Sequence, residues 1–485
     1  MRFGRQRVNH ILLLLAIILL VSVTSSKLLY RYGVPTLLIF LVMGMLFGSD
    51  GPGGVYFDDY ETARQICSVG LIFIIFYGGF GTSWKHARPV AAQAVWMASL
   101  GVVITAALTG LFCSWLLNCD LWQGMLIGAV ISSTDAASVF AILRSRKLNL
   151  KGGLASLLEV ESGSNDPTAY MLTLIVLRLM GQGGDTHLGL MIALQVGVGL
   201  GLGALLGLGT SALLRRVELE IEGLYSILIA AVALLAYALS ESVGGNGYLC
   251  VYVAGIILGN SHIPRKKSLV PFFDGLSWLM QIALFFTLGL LAFPSRLPEV
   301  AVPGTLLFLF VLLVARPVAT FAILSWFRTP VKQQVLVSWV GLRGAASIVF
   351  AIYAVTYHPL LEHDLFHLVF ILCLLSIVIQ GTLIPRIAKR LNLVENGESV
   401  LKTFTDYEEE LPSELVELKI EACSPLAGKR LRDAVFLEGT LVVMLKRNRD
   451  VIIPNGATEL RVGDRLVLST QDRDALEQQA EENRC

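Results

Sequence analysis

The chain has 485 residues, 55% of them hydrophobic and 15% charged, with a formal net charge of +1 and a mean hydropathy of +0.68. Soluble domains carry about 25% charged residues, so this mixture excludes an ordinary water-soluble enzyme, and the near-zero net charge removes any electrostatic footprint for nucleic acid. Seven scattered cysteines with no C-x-x-C spacing support neither a disulfide framework nor a zinc site.

A membrane-crossing helix needs about 20 mostly apolar residues. Thirteen segments qualify: 9–26, 33–49, 66–81, 90–117, 121–143, 154–180, 187–214, 222–241, 247–262, 272–293, 302–327, 334–356 and 365–388. No ten-residue alternation suggests a barrel, so the expected fold class is an all-α polytopic membrane protein of about 13 helices. The first segment lacks a small-residue cleavage site and reads as an anchor, not a signal peptide. Alternate connections are basic, including Lys85 and Arg88, Arg144 to Lys151, Arg265 to Lys267, and Arg386 to Arg390. The opposite loops hold little beyond Arg64 and Arg296, so the basic side is assigned to the cytoplasm. Arg2, Arg5 and Arg7 then fall on the wrong side, against the weight of seven basic connections.

Segment 121–143 contains ISSTDAASVFAIL and segment 334–356 contains VGLRGAASIVFAIY. The two echo each other seven segments apart, so they cross in opposite senses. Each is interrupted in the middle, the first by Ser132, Ser133, Thr134 and Asp135, the second by Gly341, Arg343 and Gly344. Paired interrupted helices in matching positions point to inverted six-helix repeats with a transport site between the breaks.

Segment 154–180 reads LLEVESGSNDPTAYML. An ionisable group near mid-bilayer costs at least about 2.5–3.5 kcal/mol, so each one needs a role or a partner. Asp166 lies twelve residues after Leu154, about 18 Å along a helix, near the centre of the bilayer. A carboxylate there is tolerable when protonated or bound to a dehydrated monovalent cation; the alternative is a buried polar contact with Asn165 or Thr134. Ser162 shares its face at four residues, as Glu161 does that of Asn165. Glu159 lies seven before Asp166, either a cytoplasmic funnel residue or a snorkelling surface group. Pro167 removes a backbone donor and loosens the turn. Glu161 is expected to pair with Arg343, and Asp135 to sit where a freed helix N-terminus favours an anion; Arg343 could likewise face the carbonyl end of a broken helix. Arg316, Arg178 and Glu241 read as interfacial, and His358, His363 and His367 as an outer polar loop without metal. The ATP-binding G-x-x-x-x-G-K-[ST] motif is absent, so transport is driven by a gradient or is passive.

After residue 395 the composition changes. Residues 396–414 (ENGESVLKTFTDYEEELPS) read as an acidic linker. Residues 415–485 read as a small α/β unit, with strands in ELVELKI, GTLVVMLK and RDVIIPNGATELRVGDRLVLST and a helix entry at SPLAGKRLRDA. It follows the basic side and is assigned to the cytoplasm.

With E-S-G-S-N-D-P (161–167), S-T-D-A (133–136) and G-L-R-G-A (341–345), the chain resembles the NhaP-type branch of the cation:proton antiporters. In the tail, S-P-L-A-G-K (424–429), I-P-N-G (453–456) and V-G-D-R-L (462–466) resemble a TrkA-C domain. The resemblance implies a homodimeric, multi-pass protein of a bacterial cell membrane that exchanges K⁺ or Na⁺ for H⁺, with residues 1–395 as the transport domain and the tail as regulator. It implies an ion site at Asp166, Ser162 and the Thr134 carbonyl, oriented by Asn165, and a stabilising Glu161–Arg343 pair. An N-D rather than D-D pair implies electroneutral one-for-one exchange. No cofactor is implied. Small nucleotides bind some TrkA-C domains, but no residue here assigns one. Two departures stand out: Ala136 replaces a proline common after the T-D, and Tyr77 replaces an acid common before Gly78-Gly79. The rival reading is a ligand-gated cation channel or uniporter, against which stand the missing T-V-G-Y-G filter and the inverted repeats. A receptor without transport leaves Asp166 unexplained.

Overall fold

A computed structural model describes residues 36–146, 148–181, 187–217, 219–358 and 363–395, a few positions between 16 and 24, and much of 414–470. The first expected span, 9–26, and the expected linker 396–414 lie largely outside the described residues, Glu414 being described as the first residue of a strand. The chain divides into two compact units, residues 1–406 and 407–485.

The first unit is a helical assembly. Its helices are α1 (Thr36–Phe47), α2 (Tyr60–Gly81), α3 (Ala91–Leu117), α4 (Leu121–Ile131), α5 (Ala136–Ser145), α6 (Leu154–Gly181) and α7 (Leu188–Arg216). They continue as α8 (Glu222–Ser242), α9 (Gly247–Asn260), α10 (Lys266–Leu291), α11 (Pro294–Leu324), α12 (Val331–Val340), α13 (Ala345–Tyr357) and α14 (Leu365–Arg390). Among the described residues seven helices are long and apolar enough to cross a membrane, eight if the bent pair α12–α13 counts as one. The expected segments from 33–49 onward all coincide with helix.

Lipid offers no hydrogen-bond partners, so helix ends and breaks must satisfy themselves. Asp59, Asp120, Asn246 and Asp364 each precede a helix and accept from its first turn. Between helices small residues replace the hydrophobic effect as the packing device. Gly199, Gly203 and Gly207 form a stripe at four-residue spacing on α7, where side chains would crowd Leu249, Cys250 and Ile257 of α9. Gly289 of α10 similarly admits the backbone of α1 at Leu41.

Two helices are broken. Between α4 and α5 the chain leaves helix at 133–135, and between α12 and α13 at 341–344, where the axis bends by 50°. The sequence echo falls where helix resumes: Asp135-Ala-Ala-Ser opens α5 and Gly344-Ala-Ala-Ser opens α13. Helices α3, α11 and α14 each contain a π-helical turn, at 97–101, 311–315 and 376–381. Such turns displace the side chains that follow. A two-residue antiparallel pairing of β1 (Asn149–Leu150) with β2 (Val394–Glu395) ties the approach to α6 to the end of α14.

The second unit is an antiparallel sheet of β3 (Glu414–Lys419), β4 (Leu441–Arg447), β5 (Asp450–Ile452) and β6 (Arg465–Thr470), in the order β3-β6-β4-β5. The expected helix entry at 424–434 is a turn followed by one 3-10 turn, Leu431–Asp433. Ile420, Leu445, Leu460, Leu466 and Leu468 make a small core. Beside it, buried Asp464 accepts two hydrogen bonds from Arg447, at 2.8 and 2.7 Å, and one from the Arg461 backbone at 2.8 Å. The Arg447 guanidinium holds the Asp464 carboxyl below its ordinary range. A depressed carboxyl contributes stability above its unfolded pKa and loses it as pH falls through the folded value. In the intact protein, amides of β4 and β6 should therefore be protected at neutral pH and open in acid. Asp464→Ala should cost this unit about 2–4 kcal/mol at neutral pH and flatten the acid response, read by hydrogen exchange.

Candidate functional site

The two breaks meet in the core. The Asp135 backbone N–H donates to the Leu342 carbonyl at 2.8 Å, joining one interruption to the other. Asp135 then closes the start of α5 by accepting from the Ser138 amide and hydroxyl, at 3.2 and 2.5 Å. On the other side of the break the end of α4 presents free carbonyls. Arg343, 1% exposed, donates through Nη1 to the carbonyls of Ser132 and Ser133, at 2.5 and 2.6 Å. Its own backbone N–H donates to Ser376 Oγ at 2.9 Å, at the start of the π turn in α14. Gly344 is required for space: a Cβ there would overlap the Asp135 side chain.

Helix α6 lies alongside. Ser162 Oγ donates to the Thr134 carbonyl at 2.6 Å, and Asn165 Nδ2 to the Thr134 hydroxyl at 2.5 Å. The Ser133 hydroxyl donates to Asp166 Oδ1. The four residues Ser132 to Asp135 at the first break are thus held by α6 and by Leu342 and Arg343 of the second break, with Asp166, Ser162, Asn165, Thr134 and Asp135 gathered in one place. Asp166 is half-buried, as is Gly163 on the same face, while Glu159 is buried.

The expected pairing of Glu161 needs correction. Glu161 accepts from Arg316 Nη2 at 2.5 Å, and both side chains are buried, at 1% and 3% exposure. Arg343 makes its side-chain hydrogen bonds, both through Nη1, to backbone carbonyls and none to Glu161. The physical reason is that the exposed end of a helix offers carbonyls with no other donor, and a guanidinium satisfies two at once. Arg316 is consequently internal, not interfacial; the π turn at 311–315 directly precedes it, and Gly341 leaves room for its guanidinium. With Arg316 taken by Glu161, no lysine, arginine or histidine among the described residues makes an ion pair with Asp166.

One of the three histidines differs from expectation, while His363 is exposed. His367 is fully buried; its ring accepts from the Phe293 backbone N–H at 3.0 Å and pairs with Asp364 at 2.6 Å. Among the described residues no histidine, cysteine and carboxylate group could hold a metal. Sequence reasoning passed over Ser133, whose hydroxyl the local S-S-T-D run contains but does not single out. It also passed over Asp274, which accepts from the Tyr77 hydroxyl at 2.8 Å and sits two residues inside its expected segment.

The family model described as "Sodium/hydrogen exchanger, transmembrane" matches residues 13–390, and the TrkA-C domain model matches 415–480. The chain is 36% identical to a protein named K(+)/H(+) antiporter NhaP2 from Shewanella baltica, across 96% of this chain and 82% of that one. It is 35% identical to K(+)/H(+) antiporter NhaP from Alkalimonas amylolytica, across 88% and 75%. The fold resembles the solved sodium proton antiporter MjNhaP1 of Methanocaldococcus jannaschii, with a TM-score of 0.68 at 22% identity, covering 79% of this chain and 99% of that one.

The pairing makes a direct prediction. Arg316→Gln leaves a buried carboxylate without its cation and should cost about 3–5 kcal/mol in detergent unfolding, with the Glu161→Gln double variant recovering much of it. Glu161 and Arg343 should couple less. A larger Glu161–Arg343 coupling would contradict the assignment.

Proposed function

The chain belongs to the sodium/hydrogen exchanger family, a monovalent cation/proton antiporter and not an enzyme, and from that premise we propose that Asp166 is the shared carrier of cation and proton. The observation that carries the reading is the state of its carboxylate: half-buried, bonded to Ser133, and without a fixed cation. Such a group in a low-dielectric core is stable in two ways, with a proton attached or with a monovalent cation in contact. The oxygen atoms that would complete the cation's shell are at hand: the hydroxyls of Ser133 and Ser162 and the Thr134 carbonyl. Asn165 positions Thr134, and Asp135 and Arg343 hold the unwound chain in shape.

One carboxylate holding either one H⁺ or one K⁺ or Na⁺ gives the same net charge in both crossing forms, so exchange is electroneutral and one for one. The relatives named K(+)/H(+) antiporter favour potassium as the cation. Alternating access moves the α6 and broken-helix assembly against the remaining helices. The same reading assigns a homodimer in a bacterial cell membrane and a cytoplasmic C-terminal unit that tunes the rate. Glu159 is assigned to the cytoplasmic approach.

In everted vesicles, adding K⁺ should dissipate a preformed pH gradient with no membrane current. Asp166→Asn should abolish the response while leaving folded protein, because it removes the titrating charge at nearly constant volume. Full exchange in that variant, or a current comparable to the proton flux, would overturn the reading. Removing residues 415–485 should change the rate several-fold without stopping exchange; complete loss in correctly inserted protein would remove the regulatory role.

A further inference from the structure

Helix α9 begins beside the centre of α6, and the turn that leads into it closes on the segment carrying Asp166. Asn246 makes three contacts there. Its Nδ2 donates to the Pro167 carbonyl at 2.7 Å, its Oδ1 accepts from Leu249 N at 3.0 Å, and its own amide donates to the Gln195 carbonyl at 3.1 Å. Asn246 is 2% exposed. The turn is tight, with Gly244 at φ +79°, a backbone that glycine adopts without strain.

One helical turn past Asp166, Tyr170 reaches toward the same turn. Its hydroxyl donates to Glu241 Oε2 at 3.4 Å, while Glu241 Oε1 accepts from the Gly247 amide at 2.9 Å. The Tyr170 ring packs edge-on against Tyr248 of α9, at 4.9 Å between centroids, and against Tyr353 of α13 at 5.5 Å. Phe350 lies at 5.7 Å. Asp166 keeps partial exposure, but Tyr170 and Tyr248, both on the side away from the start of α6, are buried. The site is therefore sealed in this direction by aromatic rings, with two polar contacts fastening the seal to α6.

On the alternating-access reading above, we propose that Asn246, Glu241 and Tyr170 form the latch of the outer gate: they hold α6 against the α8–α9 turn while the site faces the cytoplasm, and must part for it to face outward. The three are positioning residues, since none reaches the carboxylate of Asp166. Each contact exists in one of the two facing states, so each biases the equilibrium between them. The apparent affinity measured from one face scales with the fraction of carriers facing it. Weakening the latch raises the outward fraction and lowers the inward one.

The test uses Tyr170→Phe, which removes one hydroxyl; Glu241→Gln, which removes the charge; and Asn246→Ser, which keeps a helix-capping oxygen but cannot span to Pro167. Exchange is measured with K⁺ presented to the outer face in right-side-out vesicles and to the inner face in everted ones. The latch predicts that the apparent KM falls at the outer face and rises at the inner face, by about two- to tenfold, the effect of one lost hydrogen bond. A purely structural role would lower yield or thermal stability and leave the ratio of the two KM values unchanged. An unchanged ratio, or a shift in the same direction at both faces, overturns the latch. Wild-type vesicles without any exchange would instead sink the antiport reading on which it rests.

Discussion

Everything in the transport unit depends on how two interruptions of helix are made tolerable inside an apolar core. A stretch of non-helical backbone in lipid leaves donors and acceptors that no solvent can satisfy, each at a cost of several kcal/mol. Here the two breaks satisfy one another. The Leu342 carbonyl takes the Asp135 amide, Arg343 covers the carbonyls of Ser132 and Ser133, and Asp135 closes the start of α5. Helix α6 supplies the rest through Ser162 and Asn165. The crossing is thus held mainly by contacts that do not involve Asp166, whose one hydrogen-bond donor in the break is the Ser133 hydroxyl.

This separation of duties explains the charges. One nitrogen of the Arg343 guanidinium reaches two carbonyls at the end of α4, and a second arginine neutralises Glu161. If Arg343 were drawn to Glu161, the end of α4 would be uncovered. Fixed charges therefore hold the scaffold, while Asp166, with no ion pair to lysine, arginine or histidine among the described residues, retains partial exposure. Chemistry that exchanges a proton for a cation needs that asymmetry: a rigid frame and a single group whose partner can leave.

Much of this was legible in the sequence. The spans followed from apolar run length, and the breaks from serine, aspartate and glycine within such runs. Asp166 stood out because it is an acid at the centre of a helix in a chain with few charges. The partner of Glu161 was not legible, because pairing across 155 residues depends on how α11 rolls against α6. Arg316 precedes Pro317, which reads as a helix end; instead a π turn at 311–315 directly precedes Arg316, and its side chain is buried. His367, at the outer end of 365–388, reads with His358 and His363 as loop, whereas Asp364 caps α14 and pairs with the buried ring. Interrupted helices are written locally; the roll of one helix on another is not.

The central claim is competition for one carboxylate. Its most direct measurement is proton release from purified protein in weakly buffered detergent solution when K⁺ is added. Displacement at Asp166 predicts release approaching one proton per chain, saturating with cation concentration and absent in Asp166→Asn. Equal release from the variant, or K⁺ binding to the wild type with no proton leaving, would contradict the account.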